Sequence, residues 1–166
     1  EKRVSHAISL LDPANPFPSL HPLTDAAHLK IGVHDIDELM HGYAAPDAHH
    51  VESLLAFAEG WDRAAPMLVH CWAGVSRSTA TAFSIACAAN PKASEMEIAQ
   101  TLRAASPTAT PNKRIVSLAD DILQRGGRMR AAVAQIGRGD LLIESRPFSI
   151  PAHYAPDREK PERGGA

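Results

Sequence analysis

The sequence predicts an α/β fold in which a central, parallel-rich twisted sheet is flanked by helices. Short segments with apolar residues at every second position alternate with longer segments whose apolar residues recur every three or four positions. Strands that alternate with helices in this way form parallel sheets covered by helices. The chain has 166 residues, which suits one compact domain. Ligands of such sheets bind beyond the carboxyl ends of the strands.

Two strands and one helix are predicted before residue 60. The first strand is marked by the alternating residues Val4, His6, Ile8 and Leu10. After a loop rich in Pro, Asn and Ser, the second strand is marked by Leu29, Ile31 and Val33 and ends in a polar run. Asp47 has the position of a helix N-cap, and the helix it begins carries an apolar stripe of Val51, Leu54, Leu55 and Ala58.

A third strand leads directly into a loop and a buried helix. Met67-Leu68-Val69 is a short apolar run, and it predicts a strand that is buried on both faces. The segment His70-Cys71-Trp72-Ala73-Gly74-Val75-Ser76-Arg77-Ser78-Thr79 follows it. Residues 80–89 are apolar on nearly every side, which predicts a buried helix that Asn90-Pro91 stops.

The remaining chain predicts two further helical regions and a tail. Ser94 and Glu97 have the spacing of a capping box before a helix. Another apolar stripe begins near Asn112, is interrupted by Gly126-Gly127 and resumes through Ile136. We therefore expect one domain over residues 1–137 and a C-terminal extension over residues 138–166, partly disordered from about Pro151 onward.

Composition excludes several classes of protein. Apolar residues make up 45% and charged residues 22% of the chain, and the formal net charge of −2 indicates neither a nucleic-acid nor a membrane surface. Cys71 and Cys87 are too few for a disulfide framework and predict free thiols in a reducing compartment. No apolar run approaches the roughly 18 residues that span a bilayer. We expect a cytoplasmic protein and leave its oligomeric state open.

One segment combines the residue types that bind and attack a phosphate. Cys71 and Arg77 are separated by five residues, between a predicted strand and a predicted helix. A loop curled around a helix N-terminus can aim successive N–H groups at one anion, and Gly74 lets it adopt a positive φ. The fork of Arg77 matches two phosphate oxygens, and the same positive field stabilises a thiolate. The predicted phosphate-binding residues are Trp72, Ala73, Gly74, Val75, Ser76 and Arg77.

The run His70-Cys71-x-x-Gly74-x-x-Arg77-Ser78 resembles the HCxxGxxR(S/T) signature of the protein tyrosine phosphatase superfamily. The order of elements resembles its compact, dual-specificity-like branch over most of the chain. The resemblance implies that Cys71 is the nucleophile and forms a phospho-cysteine, and that Arg77 binds the phosphoryl oxygens. It implies that Ser78 hydrogen-bonds the thiolate and helps it leave, and that His70 supports the loop from behind.

The resemblance also implies an aspartic general acid on a loop that follows a strand well upstream of the cysteine. Asp35 lies 36 positions before Cys71 and directly follows the second predicted strand, so we favour it. Asp37, 34 positions before Cys71, is the alternative, and Asp47 is the next candidate. Asn112 matches an Asn that orders the active-site loops of the family.

The function that follows is that of a cysteine-dependent protein phosphatase acting on phosphotyrosine in a phosphoprotein or phosphopeptide, with phosphoserine and phosphothreonine as further substrates to test. A phosphatase of a phosphoinositide or nucleotide is an alternative, although the uncharged loop residues disfavour phosphoinositides. A catalytically weak phospho-binding module is another, and the intact set of Cys71, Arg77 and Ser78 disfavours it. Sulfur-transfer and arsenate-reducing enzymes fit less well.

We expect neither a metal nor a cofactor. The chain has nine histidines, but no His-x3-His or Cys-x2-Cys spacing occurs among them and the two cysteines. His49 and His50 are adjacent, so on a helix they point about 100° apart and do not easily share an ion.

Overall fold

In the computed structural model, which describes residues 3–141 and 146–157, three strands and five helices form an α/β architecture. The strands are β1 (His6–Leu11), β2 (His28–Gly32) and β3 (Met67–His70). The helices of the described ranges are α1 (Ala48–Glu59), α2 (Arg77–Ala89), α3 (Glu95–Ala105), α4 (Lys113–Ile122) and α5 (Arg128–Ile136). All strand pairs are parallel and the order is β2-β1-β3, so the predicted parallel sheet flanked by helices is confirmed.

The carboxyl ends of the three strands carry the polar residues of the site. β1 lies in the centre of the sheet, and five of its six residues are buried. Asp12 follows it directly. Asp35 follows the end of β2 by a few residues, and Cys71 follows β3 directly. Parallel strands end at the same edge of a sheet, so the topology brings these three residues to one edge.

The prediction that β3 is buried on both faces is wrong. Within the described ranges β3 pairs with β1 alone and lies at an edge of the sheet, and Leu68 is 38% exposed. An apolar run of this length has the same appearance in a central strand and in an edge strand that borders an apolar cavity. Only the pairing of strands distinguishes the two cases.

Helix α2 is the buried helix that the sequence predicts. It contacts α1, α3 and α4 as well as β1 and β3, and Phe83 lies fully buried at its centre. Cys87 is also fully buried on α2, and burial raises the pKa of its thiol to about 12, as suits a core residue. No helix in the described part of the chain combines the length and the apolarity needed to cross a membrane.

The predicted helix boundaries have local causes. Asp47 caps α1 by accepting from the backbone N–H of His50 at 3.0 Å, and Ser94 caps α3 by accepting from that of Glu97 at 3.4 Å. Between α4 and α5 the chain passes through Gly126 and Gly127, both at positive φ, which interrupts the apolar stripe as predicted.

Residues 146–157 lie against the end of α2. The Asn90 side chain donates to the carbonyl of Ala152 at 3.1 Å and accepts from the backbone N–H of Tyr154 at 3.0 Å. Phe148 and Ile150 pack against the core. Asn90 thus satisfies part of the backbone of this tail. Partial disorder after about Pro151 stays a prediction. The same prediction covers residues 158–166, which lie outside the described residues.

Candidate active site

The loop from Cys71 to Ser76 connects β3 to α2. Gly74 has a φ of 70°, the left-handed conformation that the sequence predicts at this position. The side chain of Cys71 is 8% exposed, and its Sγ lies 3.2 Å from Oγ of Ser78 in the first turn of α2. A hydroxyl at this distance can donate to a thiolate, so the structure brings together the two residues that the resemblance pairs.

Two carbonyl groups at the end of the loop are bound by the segment 110–112. The carbonyl of Val75 accepts from the backbone N–H of Thr110 at 2.9 Å, and that of Ser76 accepts from the N–H of Asn112 at 3.3 Å. In a trans peptide the N–H points opposite to the C=O, so the N–H groups of Ser76 and Arg77 point away from the 110–112 segment. With the other amides of the first turn of α2, which have no partner within the helix, they form the positive end that an anion site requires.

The guanidinium of Arg77 is held rigidly below this loop. Its side chain is nearly buried, and Nη1 donates to Oδ1 of Asp12 at 2.7 Å and to the carbonyl of Val33 at 2.6 Å. Its Nε is buried and has no hydrogen-bond partner among the described residues. Asp12 is a residue that sequence reasoning missed, although its place at the end of the first strand was a usable signal.

The two candidate acids have different partners. Asp35 accepts at Oδ1 from the hydroxyl of Ser76 at 2.7 Å and from Nδ2 of Asn112 at 2.9 Å. Asp37 accepts from the backbone N–H of Lys113 at 3.0 Å and so lies at the N-terminus of α4. Of these two, Asp35 is the one that contacts the loop. Asp47, the third candidate, caps α1 instead.

Two hydrogen bonds join the two ends of the segment that carries Asp35. The N–H of His34 donates to the carbonyl of Ala44 at 2.8 Å, and the N–H of Ala44 donates to Nδ1 of His34 at 2.9 Å. The ring of Tyr43 packs edge-on against His34 with 5.0 Å between ring centroids. Residues 34–44 therefore form a loop with a fixed base, which places Asp35 and Tyr43 at the mouth of the site.

A cavity of about 500 Å³ lies between this loop and the sheet edge. Its lining residues are Asp12, Asn15, His34, Asp35, Ile36, Tyr43, Trp72 and Arg77. Trp72 is 78% exposed and Tyr43 is 52% exposed, so the rim of the cavity offers two aromatic faces. The cavity thus combines an exposed aromatic rim with a buried guanidinium.

A second cavity, of about 1290 Å³, lies on the free side of β3. Cys71 lines this cavity together with Trp61, Leu68 and Phe148, and Trp72 lines both cavities. The loop therefore borders both cavities. Arg77 and Asp35 line the smaller cavity, and the hydroxyl of Ser76 donates to Asp35. Cys71 contacts Ser78, the residue that follows Arg77.

His70, predicted to support the loop, is the end of a chain of polar contacts across the sheet. Its Nδ1 lies 3.4 Å from the carbonyl oxygen of Cys71, and its Nε2 lies 2.6 Å from Oγ of Ser9. The same hydroxyl lies 2.7 Å from Nε2 of His28. Burial, and then the charge of Lys30, lower the pKa of His28. Sequence reasoning missed Ser9 and His28, which only strand pairing brings to His70.

Within residues 3–141 and 146–157, no group of three or more His, Cys, Asp or Glu side chains is arranged to hold a metal ion.

Solved structures with a similar fold include dual-specificity phosphatases. DUSP15 is 22% identical to this chain and has a TM-score of 0.54. The alignment covers 80% of this chain and 77% of the DUSP15 chain. A mouse putative dual specificity phosphatase complexed with zinc tungstate is 21% identical, with coverage of 78% and 76% and a TM-score of 0.53. Human DUSP28 is 24% identical, with coverage of 80% and 81% and a TM-score of 0.53. No protein-family model and no curated protein matches the chain.

At these identities the likeness concerns the fold. The chain has the α/β fold of the compact dual-specificity phosphatases, and the resemblance predicted from its sequence is confirmed at that level.

Proposed function

We propose that this protein is a cysteine-dependent phosphatase that hydrolyses phosphotyrosine in proteins through a phospho-cysteine at Cys71. The observation that carries the proposal is the buried Nε of Arg77, which has no hydrogen-bond partner among the described residues although the guanidinium is pinned by Asp12 and Val33. A buried, unsatisfied donor on a cation is costly unless a ligand completes it. A phosphoryl oxygen next to the Cys71–Ser78 pair supplies that acceptor.

In the first step, the thiolate of Cys71 attacks phosphorus while the bond from phosphorus to the substrate oxygen breaks. The loop amides and Arg77 stabilise the charge of the equatorial oxygens. Asp35, in its protonated form, gives its proton to the leaving oxygen, so the products of this step are a neutral alcohol or phenol and a phospho-cysteine.

In the second step, water attacks the phosphorus of the phospho-cysteine and the sulfur–phosphorus bond breaks. Asp35, now a carboxylate, accepts the proton of the water, and the products are inorganic phosphate and the Cys71 thiolate. The hydroxyl of Ser78, 3.2 Å from Sγ, donates to the departing sulfur and stabilises its charge.

The contacts of Asp35 support its role over that of Asp37. Ser76 donates to Asp35 and belongs to the loop from Cys71 to Ser76, which we call the phosphate loop. Asp35 also lines the same cavity as Arg77. Asp37 is bound by the backbone at the start of α4. A general acid has to lie within hydrogen-bond reach of the leaving oxygen, and Asp35 is the one that faces the phosphate loop.

The aromatic rim supports phosphotyrosine as the substrate. The exposed faces of Trp72 and Tyr43 border the cavity that contains Arg77, and a phenyl ring can pack between them. No lysine lines this cavity in the described residues, which disfavours substrates with several phosphates. Both cysteines are free, which suits the reducing conditions of the cytoplasm.

Purified protein incubated with p-nitrophenyl phosphate, phosphotyrosine peptide, phosphoserine peptide, inositol phosphate and nucleotide monophosphate tests the proposal. We expect phosphate to be released mainly from p-nitrophenyl phosphate and the phosphotyrosine peptide. Protein quenched in acid during turnover should carry one covalently bound phosphate. Cys71→Ser should lose turnover and the covalent phosphate, whereas Cys87→Ala should keep both. Turnover that survives in Cys71→Ser excludes the mechanism. Vanadate binding without turnover in the wild type indicates a phospho-binding module, and a preference for the nucleotide or the inositol phosphate excludes a protein substrate.

A further inference from the structure

Each strand contributes one polar side chain to a buried contact chain that ends at the phosphate loop. Ser9 on β1 is fully buried and lies opposite His70 on β3 in the strand register. Its Oγ lies 2.6 Å from Nε2 of His70 and 2.7 Å from Nε2 of His28 on β2, which is 7% exposed. Both distances are those of strong hydrogen bonds.

We propose that Ser9 and His28 are positioning residues that hold His70 in the tautomer with its proton on Nδ1, from which it donates to the carbonyl of Cys71. The proposal has two parts. The tautomers follow from the hydrogen bonds alone. The catalytic consequence rests on the function proposed above.

The tautomers follow from counting protons. The carbonyl oxygen of Cys71 can only accept, so Nδ1 of His70, 3.4 Å away, carries a proton. In neutral His70 the other nitrogen, Nε2, is then an acceptor, and the hydroxyl of Ser9 donates to it. A hydroxyl has one proton, so Ser9 has to accept from His28, whose Nε2 carries the proton. The two histidines are therefore held in opposite tautomers.

The surroundings of His28 favour its neutral form, as the chain of contacts requires. Desolvation by burial lowers its pKa, the nearby charge of Lys30 and the ring of His70 lower it further, and Asp25 opposes them weakly. A neutral His28 that donates through Nε2 leaves the Ser9 hydroxyl no other orientation. All three hydrogen bonds then run in one direction, from β2 through β1 to the loop.

The last hydrogen bond affects the anion site because it neutralises a carbonyl next to the nucleophile. The negative end of the Cys71 carbonyl opposes both a thiolate and a bound phosphate. A fixed Nδ1–H on that oxygen reduces this opposition and polarises the peptide toward Trp72, so its N–H becomes a better donor. Loss of Ser9 frees His70 to adopt the other tautomer, which places a lone pair against the carbonyl.

The direct test is a long-range ¹H–¹⁵N spectrum of the imidazole rings in the wild-type protein at neutral pH, with His28→Gln and His70→Gln used for assignment. We expect His70 in the Nδ1–H form and His28 in the Nε2–H form. If His70 carries its proton on Nε2, the proposal is wrong. This measurement needs no enzymatic activity, so it stands or fails separately from the phosphatase function.

Variants connect the tautomer to catalysis. Ser9→Ala should shift His70 toward the Nε2–H form and lower kcat for p-nitrophenyl phosphate by about three- to tenfold, the effect of one hydrogen bond. Ser9→Thr keeps the hydroxyl and should restore the tautomer. The matched control is Ser84→Ala, since Ser84 is equally buried but donates to Ala80 within α2.

Thermal unfolding accompanies each variant, so a loss of kcat is interpreted only for folded protein. If Ser9→Ala is folded and keeps both the wild-type tautomer and the wild-type kcat, Ser9 has no positioning role. If Ser9→Ala shifts the tautomer of His70 but changes neither kcat nor vanadate affinity, the proposed effect on catalysis is wrong. The proposed tautomers are then unaffected. Absence of activity in the wild type, with the expected tautomers, refutes the proposed function and leaves the tautomers established.

Discussion

The side-chain amide of Asn112 donates to the carboxylate of Asp35 at 2.9 Å, across 77 positions of sequence. The other end of the same amide, Oδ1, accepts from the backbone N–H of Ile115 at 3.0 Å and caps α4. One buried side chain therefore fixes the start of a helix and the candidate acid together. The role that the resemblance implies for Asn112, ordering the loops around the site, has this contact as its physical basis.

Asn112 is the residue at which capping and acid positioning can be separated. Asn112→Ala should lose the cap, which is worth about 0.5–2 kcal/mol, and should also lower kcat. Asn112→Ser keeps a capping oxygen but is too short to reach Asp35, so we expect near wild-type unfolding midpoints in urea and a kcat as low as that of the alanine variant. If Asn112→Ser restores both stability and kcat, the contact with Asp35 has no catalytic importance.

The general acid is identified by its dependence on the leaving group. Asp35→Asn should lower kcat for phosphotyrosine by roughly 10²–10⁴-fold, because the phenolate then departs without a proton. The loss should be much smaller for p-nitrophenyl phosphate, whose leaving group is a stable anion. The basic limb of the pH–rate profile should flatten. Asp37→Asn is the control, and if it shows this pattern instead, Asp37 is the acid.

Arg77 is predicted to require its guanidinium and not only its charge. Arg77→Lys should reduce kcat/KM on the order of 10²-fold or more, since an ammonium cannot make paired hydrogen bonds to a phosphoryl group while also binding Asp12. Asp12→Asn keeps Arg77 but removes the negative charge that its guanidinium binds. This variant should have a smaller effect, chiefly on vanadate affinity. Arg130→Lys on the surface is the control. A loss of less than about fivefold in Arg77→Lys indicates a structural role.

The two thiols are expected to differ in reactivity. Cys87 is fully buried with a pKa raised to about 12, so it should resist iodoacetamide until the protein unfolds. Cys71 borders the large cavity and should be alkylated first, with loss of turnover and protection by vanadate. Peptide mapping after limited alkylation of the wild type and of Cys87→Ala measures this. Equal labelling of both thiols in folded protein contradicts the assignment.

Stability should fall on acidification because of His28. Its pKa in the folded state is lowered from an ordinary value of 6.5, so between the two values the unfolded chain binds more protons. The contribution of neutral His28 is therefore fully present above about pH 6.5 and is lost as the pH falls through the lower, folded-state pKa. The groups that act on it are Lys30, His70 and Asp25.

Urea unfolding at about pH 7.5 and about pH 5.5 measures this dependence. His28→Gln should show a smaller loss of stability between the two conditions than the wild type. The matched control is His49→Gln, since His49 is exposed on α1 and should leave the difference unchanged. An unchanged difference in His28→Gln means that another group is responsible.

Features with a local cause could be predicted from the amino-acid sequence. The run from His70 to Ser78 is contiguous, so a strand end, a glycine at positive φ and a helix N-terminus are enough to predict its shape. The caps at Asp47 and Ser94 likewise depend on residues three positions apart.

Contacts between side chains far apart in the sequence required the folded structure. The pairing of Asp12 with Arg77, and the chain from His28 through Ser9 to His70, depend on the order and register of the strands. The edge position of β3 depends on the same pairing. Strand order is set by the packing of the whole core, and a hydrophobic period of two is the same in every order. For that reason the sequence predicts each strand but not its neighbours.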